Sequence, residues 1–141
     1  MKEETIEDAL AATELLRRDD RIDPNQIFII GHSMGGMLAP RIDAEGGNYR
    51  GLIIMAGTLR KLEEVLLDQN EDVLEQVPAI LRAVIRKQIK KLTKLFDGLY
   101  DLSDEEAQNR KVGGGTTLYY FKEMGEYPAA NYLKDLKKPV L

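Results

Sequence analysis

The chain has 141 residues, of which 43% are hydrophobic and 31% are charged, and its formal net charge is −4. These values are typical of one globular protein that is neither disordered nor strongly basic, so binding to bulk nucleic acid is not expected. Cysteine is absent, which excludes disulfides and thiolate metal sites.

The sequence carries no pattern for membrane insertion or export. No apolar run approaches the length of a membrane span, and the charged start Met1-Lys2-Glu3-Glu4 is not followed by the apolar core of a signal peptide. We therefore expect a cytoplasmic chain with neither a membrane nor a nucleic acid among its partners.

The first predicted elements are a helix and a strand. An apolar stripe at helical spacing runs from Ile6 to about Arg18 and predicts an amphipathic helix. A turn at residues 23–25, which contains a proline, separates this helix from an apolar strand predicted over residues 26–30.

This strand runs directly into a glycine-rich turn around one serine, and a helical pattern follows the turn. The residues of the turn are Gly31, His32, Ser33, Met34, Gly35 and Gly36. A serine that projects from a sharp strand-to-helix turn has a strained backbone, and glycines two residues before and two residues after it remove Cβ atoms that would collide there. Such a turn predicts a nucleophile at Ser33 and a Met34 backbone N–H that faces the same space. The alternative is a glycine-rich turn whose serine only caps the helix.

A second strand is predicted after this helix. The helix should run from Met34 to about residue 45 and end at a pair of glycines, with a kink or an early end at Pro40. Residues 51–57 form a continuous apolar run bounded by glycines, which is typical of a strand buried on both faces of a parallel sheet. Two such strands with a helix between them predict a parallel βαβ unit.

Residues 59–110 are predicted to be helical, with one or two short helices followed by a longer one that starts at Pro78. The longer helix has an apolar stripe, and most of its other positions are basic: Arg82, Arg86, Lys87, Lys90, Lys91 and Lys94. A basic amphipathic helix can lie on a membrane or bind a partner, but a lid helix with a solvated basic face explains the pattern more simply.

The remaining residues contain three further patterns. Three consecutive glycines at residues 113–115 lack the lysine and serine of a phosphate-binding loop, which favours a flexible hinge or a close backbone approach. Residues 116–121 are rich in β-formers, and either a strand or an aromatic cluster packed over a pocket would explain them. Residues 137–141 are typical of a turn and the first residues of a buried strand.

The segment from the first strand to Gly36 resembles the nucleophile elbow of the α/β-hydrolase superfamily, in the form found in lipases and esterases. A second, weaker similarity covers residues 119–141, which resemble the segment leading out of the lid in bacterial esterase-like and serine-aminopeptidase-like members. The resemblance implies the α/β class and a partial α/β-hydrolase fold, with a parallel βαβ core around the elbow and a helical lid insertion.

The same resemblance divides the chain into three parts and implies neither a cofactor nor a metal. The parts are a core segment with the elbow (residues 1–58), the lid (residues 59–115) and a segment that returns to the core and starts the next strand (residues 116–141).

A serine hydrolase also needs a base and an acid that orients it. His32 is the only histidine in the chain, and as the neighbour of Ser33 on a tight turn it should point away from the serine hydroxyl. We therefore expect His32 to pack at the elbow. The resemblance implies that the acid and the histidine follow Leu141, that further strands and the second oxyanion donor precede the chain, and hence that the chain is a central fragment.

The implied function is that of a serine hydrolase acting on a small ester or amide, most simply a carboxylic ester, through an acyl-enzyme at Ser33 with the Met34 N–H at the oxyanion. The isolated chain should be inactive because its base and acid are missing. The alternative is a non-catalytic hydrolase-like protein or an interaction module that uses the basic helix. One edge of the strand at residues 26–30 would lack a partner, so we expect the isolated chain to form a homo-oligomer through that edge or to fill it with a displaced segment such as residues 116–121.

Overall fold

The computed structural model describes residues 5–141, which divide into two compact units. The first unit extends to Leu59 and also includes Tyr127–Leu141, and the second unit is Arg60–Glu126. In chain order, the second unit is therefore an insertion into the first. Sequence analysis placed the end of this insertion earlier, at residue 115.

Strands and helices alternate in the first part of the chain, and helices dominate afterwards. The elements are, in chain order, α1 (Glu7–Arg17), β1 (Phe28–His32), α2 (Met34–Ile42), β2 (Gly51–Met55), α3 (Leu62–Gln76), α4 (Ala79–Phe96), α5 (Asp104–Asn109), β3 (Lys111–Gly113), β4 (Thr116–Thr117), α6 (Leu118–Glu126) and α7 (Ala129–Leu133).

The first unit is built on a small parallel sheet. β1 and β2 pair in parallel, with Phe28 opposite Gly51 and His32 opposite Met55. On the other side of β2, the Leu52 N–H donates to the carbonyl of Pro139 at 3.0 Å, and residues 139–141 run parallel to β2. The predicted parallel βαβ unit is confirmed, and the end of the sequence lies parallel to β2 as expected, but it pairs through an isolated bridge from Leu52 to Val140 and not as a full strand.

Helix α2 covers one face of this sheet, and its residues from Gly36 to Ile42 are buried. Pro40 lies inside the helix, where it has no N–H to donate. The α-helical part ends two residues later, at Ile42, and continues as a π-helical turn, Asp43–Gly47. Gly46, the first residue of the glycine pair, leaves the helical conformation with φ 136°, as expected, and Asn48 follows in the left-handed region with φ 40°.

The opposite face of the sheet and the outer edge of β1 are apolar and exposed within the described residues. Phe28 is 49% exposed and Ile30 is 64% exposed. In a parallel strand, every second residue directs its backbone N–H and C=O groups to the same neighbouring strand. The Ser33 N–H donates to the carbonyl of Met55 in β2, so the odd-numbered residues of this segment face β2. The backbone groups of Phe28 and Ile30 therefore face the outer edge. The homo-oligomer expected through this edge stays a prediction.

The second unit contains a helical hairpin and an aromatic core. Val77 and Pro78 join α3 to α4, and this short connection makes the two helices antiparallel neighbours. The rings of Phe96 and Phe121 lie 4.9 Å apart, between centroids, in a buried cluster that also contains Leu99, Ala107 and Leu118. Among residues 5–141 no helix combines the length and the apolar character needed to cross a membrane.

Residues 116–121 are largely helical, unlike the strand that their β-formers favoured. Only Thr116–Thr117 pairs as a strand, and α6 begins at Leu118. Leu118, Phe121 and Met124 recur at helical spacing and are buried. Packing of this face against the aromatic core has therefore overridden the local β propensity.

Candidate functional site

Ser33 stands between the last residue of β1 and the first residue of α2, at the carboxyl end of the parallel sheet. Its backbone has φ 53° and ψ −116°, a conformation that a residue with a side chain rarely adopts. Such strain costs on the order of 1–3 kcal/mol and persists only where the surrounding structure imposes it. The Ser33 side chain is exposed.

Three backbone hydrogen bonds hold the strained residue in place. The Ser33 N–H donates to the carbonyl of Met55 at 2.8 Å, which fixes the turn to the end of β2. The Ser33 carbonyl accepts from the N–H groups of Gly36 at 3.0 Å and Met37 at 3.2 Å, which starts α2 directly after the serine. The turn therefore cannot relax without the loss of bonds to both the strand and the helix.

Of the three glycines around Ser33, Gly31 is sterically required, Gly36 lies in a tight contact, and neither holds for Gly35. A Cβ on Gly31 would lie 2.3 Å from the Gly35 carbonyl oxygen, and a Cβ on Gly36 would lie 3.1 Å from the Cα of Gly57. A Cβ on Gly35 would meet no atom within 4 Å. The expectation that the glycine two residues after the serine relieves a collision is therefore wrong, and the tight contact is at Gly36 instead.

The segment after β2 also contributes to this end of the sheet, and sequence analysis assigned it no such role. Ala56 has φ 51°, so the residue that follows each strand of the β1–β2 pair has a strained backbone. Gly57 packs against Gly36, since a Cβ on Gly57 would lie 3.3 Å from the backbone carbonyl carbon of Gly36. In the sequence, Gly57 stands at the end of the apolar run that forms β2, and this glycine could have indicated a close backbone approach there.

His32 and Met34 flank the serine on its two sides. His32 ends β1 opposite Met55, and its side chain is exposed, contrary to the packing role expected for it. Adjacent residues of a strand point to opposite faces, and no hydrogen bond joins His32 to Ser33 in the described structure. Met34 is the first residue of α2, so its N–H lies at the positive end of the helix dipole.

Charged side chains fix the other end of α2. Arg41 lies over the ring of Tyr127, 4.0 Å from its centroid, and its Nε is 2.6 Å from a carboxylate oxygen of Glu45. Asp43 is buried and accepts hydrogen bonds from the Tyr49 N–H at 2.7 Å and from the Lys138 Nζ at 2.9 Å. The second bond ties α2 to the segment that enters the sheet beside β2.

The described residues include no group of three histidine, aspartate or glutamate side chains arranged to hold a metal ion. Burial raises the pKa of Tyr132, which lies near Arg41 and Glu45, and Arg41 partly opposes this rise. Tyr132 belongs to the packing around the carboxyl end of α2, so it is not assigned to the site at Ser33.

The sequence is similar to known proteins across this region. Residues 1–73, about half of the chain, match the model of the prolyl oligopeptidase family. The whole chain is 31% identical to Esterase EstD of Thermotoga maritima over 142 residues, and it spans 31% of that protein's length. No solved structure matches the chain.

The family match includes β1, Ser33, α2 and β2, which are the elements that form the described site. It confirms the resemblance noted from the glycine-rich turn. The chain belongs to the prolyl oligopeptidase family and hence to the α/β-hydrolase superfamily.

Proposed function

We propose that this chain supplies the nucleophile of a serine hydrolase that acts on carboxylic esters through an acyl-enzyme at Ser33. The observation that carries the proposal is the strained, exposed serine at the carboxyl end of the sheet, held by bonds to Met55, Gly36 and Met37. A serine that only capped a helix would have an extended backbone and would use its hydroxyl to accept an N–H of the first turn. Ser33 has neither property.

In the proposed reaction, the Ser33 Oγ attacks the ester carbonyl and forms a new C–O bond, while a base removes the hydroxyl proton. The tetrahedral oxyanion then accepts a hydrogen bond from the Met34 N–H. As this intermediate collapses, the bond to the alcohol breaks, and the alcohol leaves with the proton from the base. Water then hydrolyses the acyl-enzyme, and Ser33 is restored.

An ester substrate is favoured over a peptide by the extent of the two similarities. The prolyl oligopeptidase family model matches residues 1–73, whereas the similarity to Esterase EstD extends over the whole chain. The alignment with Esterase EstD therefore includes all residues of the second unit. We assign this unit, which chain order inserts after β2, to the role of a lid.

The proposal can be tested by trapping the nucleophile in the natural gene product. An alkyl fluorophosphonate should phosphonylate one serine, with loss of fluoride, and peptide mapping should place the label on Ser33. Ser103, the only other serine of the chain, provides a matched control because it accepts a hydrogen bond from the Glu106 N–H at the start of α5. Ser103→Ala should keep the label and Ser33→Ala should lose it. A protein that takes up no label would favour the non-catalytic alternative.

The 141-residue chain alone should have no appreciable esterase activity. Its one histidine is His32, which is exposed and forms no described hydrogen bond to Ser33, so no base within the chain can take the serine proton. Hydrolysis of a short-chain aryl ester by the purified chain would measure this directly. A rate above background that His32→Ala abolishes would contradict the prediction and assign the base to His32.

A further inference from the structure

The hairpin of α3 and α4 carries two complete sets of opposite charges, one on each helix. α3 has six acidic residues and no basic residue, and α4 has six basic residues and no acidic residue. In the described structure, no ion pair joins an acid of α3 to a cation of α4. The charges are therefore separated across the hairpin and are not neutralised within it.

On one side of the hairpin, the two sets of charges face each other across a groove of about 350 Å³. Glu71 and Glu75 line one wall and Arg86 and Lys90 line the other, and all four side chains are exposed. Leu74 and Ile89 also line the groove and are only partly buried. The groove thus combines apolar surface with two walls of opposite charge.

The charges on the two walls of the groove have the same spacing. Each wall has one residue per helical turn, so the spacing along each helix is about 6 Å. Because the helices run antiparallel and the four side chains line one groove, the acidic pair and the basic pair lie on opposite walls. A hydrogen bond from the Gln88 Nε2 to the Asn70 Oδ1, at 3.1 Å, joins the two helices of the hairpin.

We infer that this face of the α3–α4 hairpin is a docking surface for a second copy of the same chain. A twofold axis parallel to the helices would lay α3 of each copy over α4 of the other, at the same level. Glu71 and Glu75 of each copy would then meet Lys90 and Arg86 of the other, and the partly buried Leu74 and Ile89 would be covered. A twofold axis perpendicular to the helices would instead place like charges together, so the charge pattern selects one arrangement.

The same pattern argues against a membrane as the occupant of this face. An anionic lipid surface would attract Arg86 and Lys90 but would repel Glu71 and Glu75 beside them. A partner must carry basic groups opposite Glu71 and Glu75 and acidic groups opposite Arg86 and Lys90, and a second copy of this face carries both. This inference is independent of the chemistry assigned to Ser33.

Charge reversal in two separate variants tests the inference. Glu71→Lys with Glu75→Lys makes both walls basic, and Arg86→Glu with Lys90→Glu makes both walls acidic. By sedimentation of the natural gene product at low salt, each variant alone should self-associate about 10²-fold more weakly than the parent protein, because every intermolecular pair becomes repulsive. An equimolar mixture of the two variants should restore association as a heterodimer.

A third variant that carries all four substitutions is the matched control, since it exchanges the two walls and should restore the homodimer. The third variant keeps opposite charges on the two walls, so its thermal unfolding should match that of the parent protein, whereas the two-substitution variants place like charges on facing walls and should unfold at a somewhat lower temperature. Association should weaken as salt rises, whereas pairing through the apolar edge of β1 would not. A parent protein that stays monomeric at low salt, or variants that associate as the parent does, would overturn the inference. So would anionic vesicles that bind the all-basic variant and the parent equally.

Discussion

Replacement of Ser33 by alanine is expected to lower kcat of the natural gene product on a short-chain aryl ester by about 10³- to 10⁶-fold, with little change in KM. The hydroxyl forms the covalent bond of the proposed acyl-enzyme, so its loss removes the chemical step itself. The oxyanion donor at Met34 and the substrate contacts remain, which leaves a small residual rate. Steady-state kinetics on the purified variant would measure both constants.

The alanine variant is a clean comparison because it keeps a Cβ on the strained residue. Its free energy of unfolding should match that of the parent protein, and a denaturant titration checks this. Ser103→Ala is the activity control: it removes the N-cap of α5 and should cost about 1 kcal/mol of stability without changing kcat. If Ser33→Ala kept the kcat of the parent, Ser33 could not be the nucleophile.

The elements around Ser33 could be predicted because local and global requirements agree there. An apolar strand, a glycine-rich turn and a helix start each have a strong local signal, and the parallel pairing of β1 with β2 follows from the intervening helix. The parallel approach of residues 139–141 to β2 was also predicted from their apolar residues after a turn, although only an isolated bridge forms there. The family match then confirmed the superfamily that this pattern indicated.

The second unit was less predictable because long-range packing decides its structure. Residues 116–121 have strong β propensity, yet Leu118 and Phe121 are buried in the aromatic core from a helix. The basic residues of α4 were interpreted as a solvated face because charged outer faces are common on helices, and Arg86 and Lys90 are indeed exposed. Only the folded hairpin brings Glu71 and Glu75 opposite Arg86 and Lys90.

The role of each glycine around Ser33 also lay beyond the sequence. The pattern Gly-x-Ser-x-Gly treats Gly31 and Gly35 as equivalent, because both stand two residues from the serine. The structure separates them, since the Cβ of one would strike the backbone and the Cβ of the other would enter open space. That difference gives a prediction in which two substitutions of the same kind have opposite results.

Gly31→Ala should destabilise the first unit by at least about 3 kcal/mol, enough to prevent folding of a marginally stable chain. Its Cβ would lie 2.3 Å from the Gly35 carbonyl oxygen and 2.7 Å from the Gly36 nitrogen. Both atoms belong to the backbone of the first turn of α2, so they can move only if the turn opens and the bonds that hold Ser33 are lost. Urea unfolding followed by circular dichroism would measure the loss.

Gly35→Ala is the matched control, and it should be neutral or more stable by about 0.5–1 kcal/mol, because alanine favours a helix and the new Cβ would meet no atom within 4 Å beyond its chain neighbours and its own helix backbone. Equal stability of the two alanine variants would contradict the described geometry of the turn. Activity adds a second readout. If Gly35→Ala folds as well as the parent but hydrolyses esters more slowly, the open space beside Gly35 is occupied by substrate during the reaction. The second glycine of the motif would then be required for catalysis, while the first is required for the fold.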